Sequence, residues 1–234
     1  MKYNSKGIAL TYIKYGETSI ISKVFTQEHG LQSFIIKGAR GKSSKKRVVF
    51  FEPLTLINIT ATYNSKKSLQ FLSEVTAIDS INFSKQNMNK KFIAFFLAEV
   101  SSKVLHEGEK NESLFNFIWN RTKELQLNNK TEPNFVLKYM LDLSSYLGFY
   151  PSREGFDLPY FSLTEGCFVA KNIVGETLSK KKSTTLKSLM NNNECFITQS
   201  ERTNLLQDIF LYYSIHNHNL SSVKSHLIIQ ALRV

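Results

Sequence analysis

The sequence predicts an α+β protein, in which a small five-stranded antiparallel β-barrel precedes a mostly α-helical part. Apolar residues follow a short, strand-like pattern up to Asp79 and a helical spacing beyond residue 85. The chain has 234 residues, 42% of them hydrophobic and 12% aromatic, which is enough to bury a core and is unlike a disordered basic tail. The change of period therefore divides one folded chain into two kinds of structure.

Five short segments within the first 80 residues have the composition of β-strands. They are rich in β-branched and aromatic residues and are separated by glycine-containing or lysine-rich turns, with no helical period between them. The turn Gln27–Gly30 predicts a hairpin. Regularly spaced short strands of this kind are typical of a small antiparallel barrel. The segments are 7–16, 18–26, 31–38, 48–63 (one or two strands around Pro53) and 69–78.

The remainder of the chain is mostly helical. Apolar residues recur at helical spacing in two groups of segments, and Asn111 is a suitable cap for the second segment. Between the groups, about 149–170 predicts turns with a short hairpin. We therefore predict an N-terminal domain at 1–80 and a helical domain at 81–234 that contains this insert. The helical segments are 90–108, 111–127, 132–148, 183–192, 200–218 and 221–233.

The positive charge is concentrated in the barrel. The chain carries a net charge of +11, and residues 1–80 hold 12 basic and 5 acidic residues against 18 and 14 in the rest. Six cations and no acid fall within 37–47, which predicts a solvated loop between strands. Such a surplus favours polyanionic partners, and nucleic acid is one of them. The six cations are Lys37, Arg40, Lys42, Lys45, Lys46 and Arg47.

The residues offer little support for an enzyme or a metal site. Gly41-Lys42-Ser43 lacks the upstream glycine of a phosphate-binding loop, because Ile36 stands in its place. His216, His218 and His226 lack a carboxylate or thiolate partner nearby. Two cysteines form neither a disulfide scaffold nor a four-cysteine zinc site. No apolar stretch has the length of a membrane span or of a signal peptide, so we expect a cytoplasmic protein.

The basic segment is the strongest functional candidate. Barrels of the OB type bind single-stranded nucleic acid through a cationic groove and aromatic stacking platforms. Tyr12 and Tyr15 lie on a neighbouring predicted strand, and their polar tips tolerate exposure. We therefore predict a DNA-binding site formed by these two tyrosines and the six cations. A solvated surface segment without a partner is the competing interpretation.

Three stretches of the sequence, taken in order, resemble a known family of proteins. The opening KGIALTYIKYGETSIISKVFTQEHGLQSFIIKGARGKSSKKR carries most of the similarity, including Gly16-Glu17 and a strand that ends in 37–40. The stretch Phe51–Leu54 and the C-terminal 223–226 resemble later parts of the family pattern. The similarity runs in order along nearly the whole chain, and by it the sequence resembles the RecO family of bacterial recombination mediators and DNA repair proteins.

The resemblance implies a function and a set of partners. It implies an N-terminal OB barrel, binding to single- and double-stranded DNA, and annealing of complementary strands without enzymatic activity. It also implies cooperation with RecR, and in many bacteria RecF, to load the recombinase RecA onto strands coated by single-strand-binding protein, in the bacterial cytoplasm at the nucleoid. The C-terminal tail of single-strand-binding protein would need cations beside an apolar groove, and the candidates are Lys138, Arg153, Lys171 and the triplet Lys180–Lys182.

The resemblance also raises the question of zinc. Many family members carry four zinc-binding cysteines in the helical domain, but the matching stretch 149–169 contains Cys167 alone. We therefore predict no structural zinc and no cofactor. Apolar packing is expected to hold the turns, and the residues are Phe156, Leu158, Tyr160, Phe161 and Phe168.

Two other classes of function compete with the mediator. One is a protein-interaction adaptor whose basic segment binds an acidic partner surface. The other is a nuclease or nucleotidyl enzyme that uses His216, His218 and His226.

Overall fold

The computed structural model describes residues 1–40, 45–78, 87–192 and 196–225. The chain divides into two compact units, Met1–Asn129 and Lys130–Val234. The first unit contains the barrel together with two long helices and therefore extends past residue 80. The domain boundary at residue 80 stays a prediction.

The first unit is built on a closed five-stranded barrel, which confirms the predicted fold class. Neighbouring strands pair in the order β1-β2-β3-β5-β4, and β4 closes the barrel against β1. All pairs are antiparallel except β3 with β5. The strands are β1 (Lys2–Tyr15), β2 (Ser19–Thr26), β3 (Gly30–Ile36), β4 (Leu56–Thr62) and β5 (Leu69–Ala77).

Alternating side chains of the strands fill the barrel. The inward residues are fully or nearly fully buried, whereas outward residues vary in exposure from one end of the barrel to the other. The tight turn before β3 depends on Gly30, because its φ is +65° and a Cβ there would lie 2.0 Å from the carbonyl oxygen of Glu109. The buried cluster comprises Ile20, Val24, Phe34, Ile36, Ala39, Phe51, Ile57, Ile59 and Ala61.

The prediction of strand structure before Pro53 was wrong. Lys45–Val48 form a single helical turn (α1) and Val49–Phe51 a 3₁₀ turn, and β4 begins only at Leu56. Phe51 is fully buried in the barrel core, and Phe50 packs against the same core. These apolar residues pack into the barrel core instead of pairing with a strand. β-branched and aromatic composition is common to both situations and does not distinguish them.

Two long helices complete the first unit. They are α2 (Met88–Val104) and α3 (Glu112–Leu127), and Asn111 caps α3 by accepting a hydrogen bond from the Leu114 N–H at 2.9 Å, as predicted. Helix α2 packs against β1 and α3. The ring of Phe115 on α3 lies 5.5 Å from Phe25 on β2. The two helices therefore cover part of the outer surface of the barrel.

The second unit combines helices with a small sheet. Helix α4 packs against α5 and α6, and β6 pairs with β7 and β8. Residues 221–225 form turns where a helix was predicted, and the rest of that segment lies outside the described residues. The elements are α4 (Phe135–Tyr146), β6 (Tyr160–Ser162), β7 (Phe168–Val169), β8 (Thr177–Leu178), α5 (Lys180–Met190) and α6 (Gln199–Ile215).

Candidate nucleic-acid interface

The start of the basic segment is held against the β1–β2 turn. The Arg40 backbone N–H donates to the Thr18 carbonyl oxygen at 2.8 Å, and its guanidinium donates to the Gly16 carbonyl oxygen at 3.4 Å. Ala39 is buried in the barrel core, whereas Lys37 and Arg40 are exposed. The prediction of a wholly solvated loop was therefore wrong at Ala39. The two cations themselves face solvent beside the turn that follows Tyr15.

The remaining cations of the segment are described only in part. Lys42 lies outside the described residues. Lys45 and Lys46 belong to α1, but the structure does not describe their side chains. Arg47 is exposed on the same helical turn, where a loop had been expected.

Tyr12 and Tyr15 are both exposed but lie on opposite faces of β1. Tyr12 pairs with Ser22, whose position faces the barrel interior, whereas Tyr15 pairs with Ser19 on the outer face. Residues three apart on a strand point to opposite sides. The two tyrosines predicted from sequence therefore do not share one surface, and Tyr15 is the one on the outer face.

Four apolar residues form a continuous line across the outer face of the barrel. Ile13 pairs with Ile21, Ile21 with Ile35, and Ile35 with Phe71, so the line crosses β1, β2, β3 and β5. Ile13 is 63% exposed and Phe71 is 49% exposed, while the two central isoleucines are half-buried. With strands about 4.8 Å apart, the line spans about 14 Å. We call these four residues the outer row.

Among the described residues, helices α2 and α3 cover the other half of this face and leave Ile13 and Phe71 of the outer row exposed. Phe25 and Leu31, further along β2 and β3, are each 1% exposed, and Phe25 contacts α3. Ser33 marks the border, where its hydroxyl donates to the Glu107 carboxylate at 2.9 Å. The uncovered half is therefore a defined patch and not a general feature of the barrel.

Lysine side chains border the outer row. The ammonium groups of Lys37 and Lys67 each lie 5.8 Å from the centre of the Phe71 ring. Lys23 is half-buried and pairs with Ser33 in the next row of the sheet. Phosphate oxygens are bound by such cations, and bases stack on exposed rings.

Sequence reasoning missed Phe71, Lys67 and Lys23. The pairing of β3 with β5 joins Ile35 to Phe71 across 36 positions, and nothing local in the sequence specifies it. The sequence did contain one signal. A lysine pair shortly precedes Phe71, and the next residue on the strand, Leu72, packs into the core. Strand alternation would have placed Phe71 outside.

Two of the three cations proposed to bind a partner protein make contacts within the chain. Lys138 forms an ion pair with Glu132 at 2.7 Å. The Arg153 guanidinium donates to the Asn191 side chain at 2.9 Å. Lys171 is exposed. In the triplet, Lys181 and Lys182 form ion pairs with acidic residues of α6, so a partner would compete with these contacts.

Residues 149–169 and helix α5 are held together by cation–aromatic contacts. Lys187 on α5 donates to the Leu158 carbonyl oxygen at 2.7 Å, and its ammonium lies 4.8 Å from the Phe168 ring centre. Arg153 lies 5.0 Å from the Phe156 ring centre, and Phe156 contacts Phe168 edge to face. We call Arg153, Phe156, Phe168 and Lys187 the cation–aromatic clamp.

The residues of this stretch do not fit a structural zinc ion. Cys167 has Glu165 beside it, at 3.6 Å from the sulfur, and burial raises the pKa of the Cys167 thiol, with Glu165 adding to the effect. Across residues 1–40, 45–78, 87–192 and 196–225, no group of three or more His, Cys, Asp and Glu side chains could hold a metal ion. Phe161 and Phe168 are buried as predicted, whereas Leu158 is 38% exposed and contributes chiefly through its carbonyl group.

The C-terminal histidines pack against an aromatic ring. His216 and His218 both stack on Phe149, with ring centres 5.2 and 5.1 Å away. A nitrogen of His216 lies 3.2 Å from the Leu163 carbonyl oxygen. His226 lies outside the described residues. The two described histidines therefore have structural contacts, and a nuclease site would have to break them.

Within the described part of the chain, no helix is both long and apolar enough to cross a membrane.

Comparison with known proteins agrees with this architecture. Residues 1–81 match the family model described as "Recombination protein O N terminal", and residues 85–218 match "Recombination protein O C terminal". The chain is 32% identical to the DNA repair protein RecO of Flavobacterium psychrophilum and 30% identical to that of Flavobacterium johnsoniae, with 96% of each chain covered in both cases. The RecO protein of Bacteroides fragilis is 28% identical, again over 96% of each chain. The resemblance noted in the sequence is thus confirmed, and the chain belongs to the RecO family of DNA repair proteins.

Proposed function

We propose that this protein is a non-enzymatic recombination mediator. It binds single- and double-stranded DNA, anneals complementary strands and, together with RecR, helps to load RecA onto strands coated by single-strand-binding protein. Membership of the RecO family, whose members carry the name DNA repair protein, supports a role in repair. The bacterial cytoplasm, at the nucleoid, is the corresponding location.

One observation carries the DNA-binding part of the proposal. Exposed Lys37 and Arg40 lie at the end of the barrel where the β1–β2 turn meets the uncovered outer row. Cations beside an apolar, partly aromatic surface suit a ligand with both phosphates and bases. We assign phosphate contacts to these two residues and, with them, to the rest of the segment, which is Lys42, Lys45, Lys46 and Arg47. Tyr15 joins the interface, and Tyr12 would serve on the other face of β1.

Annealing follows from charge neutralisation and needs no catalytic residue. Two complementary strands repel each other through their phosphates, and bound lysine and arginine side chains reduce that repulsion. Contacts to phosphate carry no sequence information, so the bases remain free to pair. The proposal therefore requires neither a nucleophile nor a metal.

Partner proteins enter the proposal through charge. The tail of single-strand-binding protein would contact exposed cations of the second unit, of which Lys171 is unhindered by the contacts that engage Lys138 and Arg153. RecR, and in many bacteria RecF, complete the set of proposed protein partners.

The decisive experiment is annealing of complementary strands coated with single-strand-binding protein. We expect the full chain to accelerate annealing over the protein-free rate. In parallel, the affinity for a labelled single strand should fall with salt with a log–log slope of about −3.5 if about five phosphates are contacted. No acceleration of annealing would contradict the mediator function.

A matched pair of variants tests the site. Lys37→Ala with Arg40→Ala should make the slope shallower by about 1.4, because each lost phosphate contact removes about 0.7. Lys103→Ala with Lys130→Ala removes the same charge from exposed positions elsewhere and should leave the slope unchanged. Equal slopes for the two double variants would show that Lys37 and Arg40 do not contact DNA.

A further inference from the structure

We infer that Phe71 is a base-stacking platform flanked by Lys37 and Lys67, and that it makes this face of the barrel prefer single-stranded over duplex DNA. The inference rests on the proposed function and deepens it, because it names the form of DNA that the interface selects and the residue responsible.

The Phe71 ring lies outside the barrel core. Its neighbour Leu72 packs against the barrel core, whereas the Phe71 ring points outward and stays 49% exposed. Single exposed apolar side chains are ordinary on protein surfaces. Here, however, Phe71 is the last residue of the outer row, whose four side chains lie side by side in the strand register. Ile13, at the other end of the row, is 63% exposed. A continuous uncovered apolar strip of this kind marks an interaction surface.

The charges around the ring indicate the chemistry of the occupant. Lys37 follows β3 and Lys67 precedes β5, yet both ammonium groups lie 5.8 Å from the Phe71 ring centre. At the border of the patch, the carboxylate of Glu107 accepts a hydrogen bond from Ser33. An occupant must therefore offer a flat apolar face to the ring and negative charge to the lysines. A nucleotide with its base unstacked has both.

The same geometry discriminates between forms of DNA. In a duplex, the faces of the bases are stacked on one another and closed to a side chain, so a duplex can use only the lysines. In a single strand the bases are free, and each has a π-face that can lie on an aromatic ring. Stacking on one ring is worth about 1–3 kcal/mol by alanine substitution, which corresponds to a change in affinity of about five- to 150-fold. The ring should therefore contribute to single-strand affinity alone.

The experiment is an anisotropy titration of the full chain with three labelled DNAs of equal length: a normal single strand, an abasic single strand and a blunt duplex. Phe71→Ala should weaken binding to the normal single strand at least fivefold. Binding to the abasic strand and the duplex should change less than twofold. Phe71→Tyr, which keeps a ring, should bind like the unchanged protein. Phe196→Ala removes a ring that is 93% exposed in the second unit and serves as the matched control.

The possible results separate this inference from the proposed function. If the unchanged protein binds none of the three DNAs, the proposed function fails and the inference with it. If the protein binds DNA but Phe71→Ala has no effect, or weakens all three complexes equally, only the stacking role is overturned. Thermal melting of each variant shows whether a loss reflects misfolding, and the affinity of Phe71→Tyr gives a second test that avoids the loss of the ring.

Discussion

His29 lies between two tyrosine rings at the end of the barrel where β1 begins. It stacks on Tyr63 with ring centres 4.2 Å apart and contacts Tyr3 edge to face at 4.4 Å. The Tyr3 hydroxyl is buried without a hydrogen-bond partner among the described residues, and burial raises the pKa of Tyr3 to about 12. Burial also lowers the pKa of His29, Glu28 opposes this effect, and the positive charges of Lys110 and the N-terminal amine add to it. The aromatic cluster thus favours the neutral imidazole.

This cluster predicts a pH dependence of stability. The pKa of His29 is lower in the folded than in the unfolded chain, so the unfolded chain binds more protons. The free energy of unfolding should therefore fall as the pH drops below the pKa of the unfolded chain, about 6.5, and through the lower pKa of the folded chain. The free energy of urea unfolding, measured from pH 7.5 to pH 5, should therefore decrease. His29→Phe keeps the stacked ring and removes the titration, so its profile should be flatter. Identical profiles would contradict the assignment.

Among the second unit's elements, the β6–β7 hairpin is joined to α5 by the cation–aromatic clamp. The Lys187 ammonium makes one hydrogen bond to a carbonyl oxygen and faces two rings, those of Phe156 and Phe168. Lys187→Met should lower the free energy of unfolding by about 1–2 kcal/mol, since it removes a charged hydrogen bond and cation–π contacts. Lys180→Met, at the exposed start of the same helix, should change it by less than about 0.5 kcal/mol. Chemical denaturation measures the free energy of unfolding of both variants. Equal losses for Lys187→Met and Lys180→Met would refute the stabilising role of the clamp.

Local sequence patterns predicted the elements well, but not their partners. Period-two segments with a glycine turn identified β2 and β3, and Asn111 marked the start of α3, because both signals act within a few residues. The apolar segment before Pro53 was misassigned, since burial inside the barrel end and burial in a strand select the same residues. The candidate site divides in the same way. Charge density identified Lys37 and Arg40, whereas Phe71 comes close to Lys37 through long-range strand pairing that no local pattern encodes.

At the scale of the whole molecule, most of the net positive charge lies in the unit that contains the barrel. The first unit holds 19 basic and 10 acidic residues, and the second holds 11 and 9. The net charge of +11 is thus chiefly a property of the unit that carries the outer row. Under the proposed function, this positive field would attract DNA from solution and speed encounter, and the outer row with its lysines would determine which form of DNA is held. The second unit is nearly neutral, which suits protein contacts and structural packing.

The last prediction concerns metal and the stability of the whole chain. A cysteine-bound structural zinc contributes to folding directly, with about 10–16 kcal/mol of binding free energy in small zinc domains, so chelators unfold proteins that depend on it. In this chain, residues 149–169 contain one cysteine, Cys167, and the cation–aromatic clamp joins the turns of this stretch to α5. Elemental analysis of purified protein should therefore find far less than one zinc per chain, and excess EDTA should leave the melting temperature unchanged. One zinc per chain, together with a lower melting temperature in EDTA, would show that other residues bind the metal and that the clamp has not replaced it.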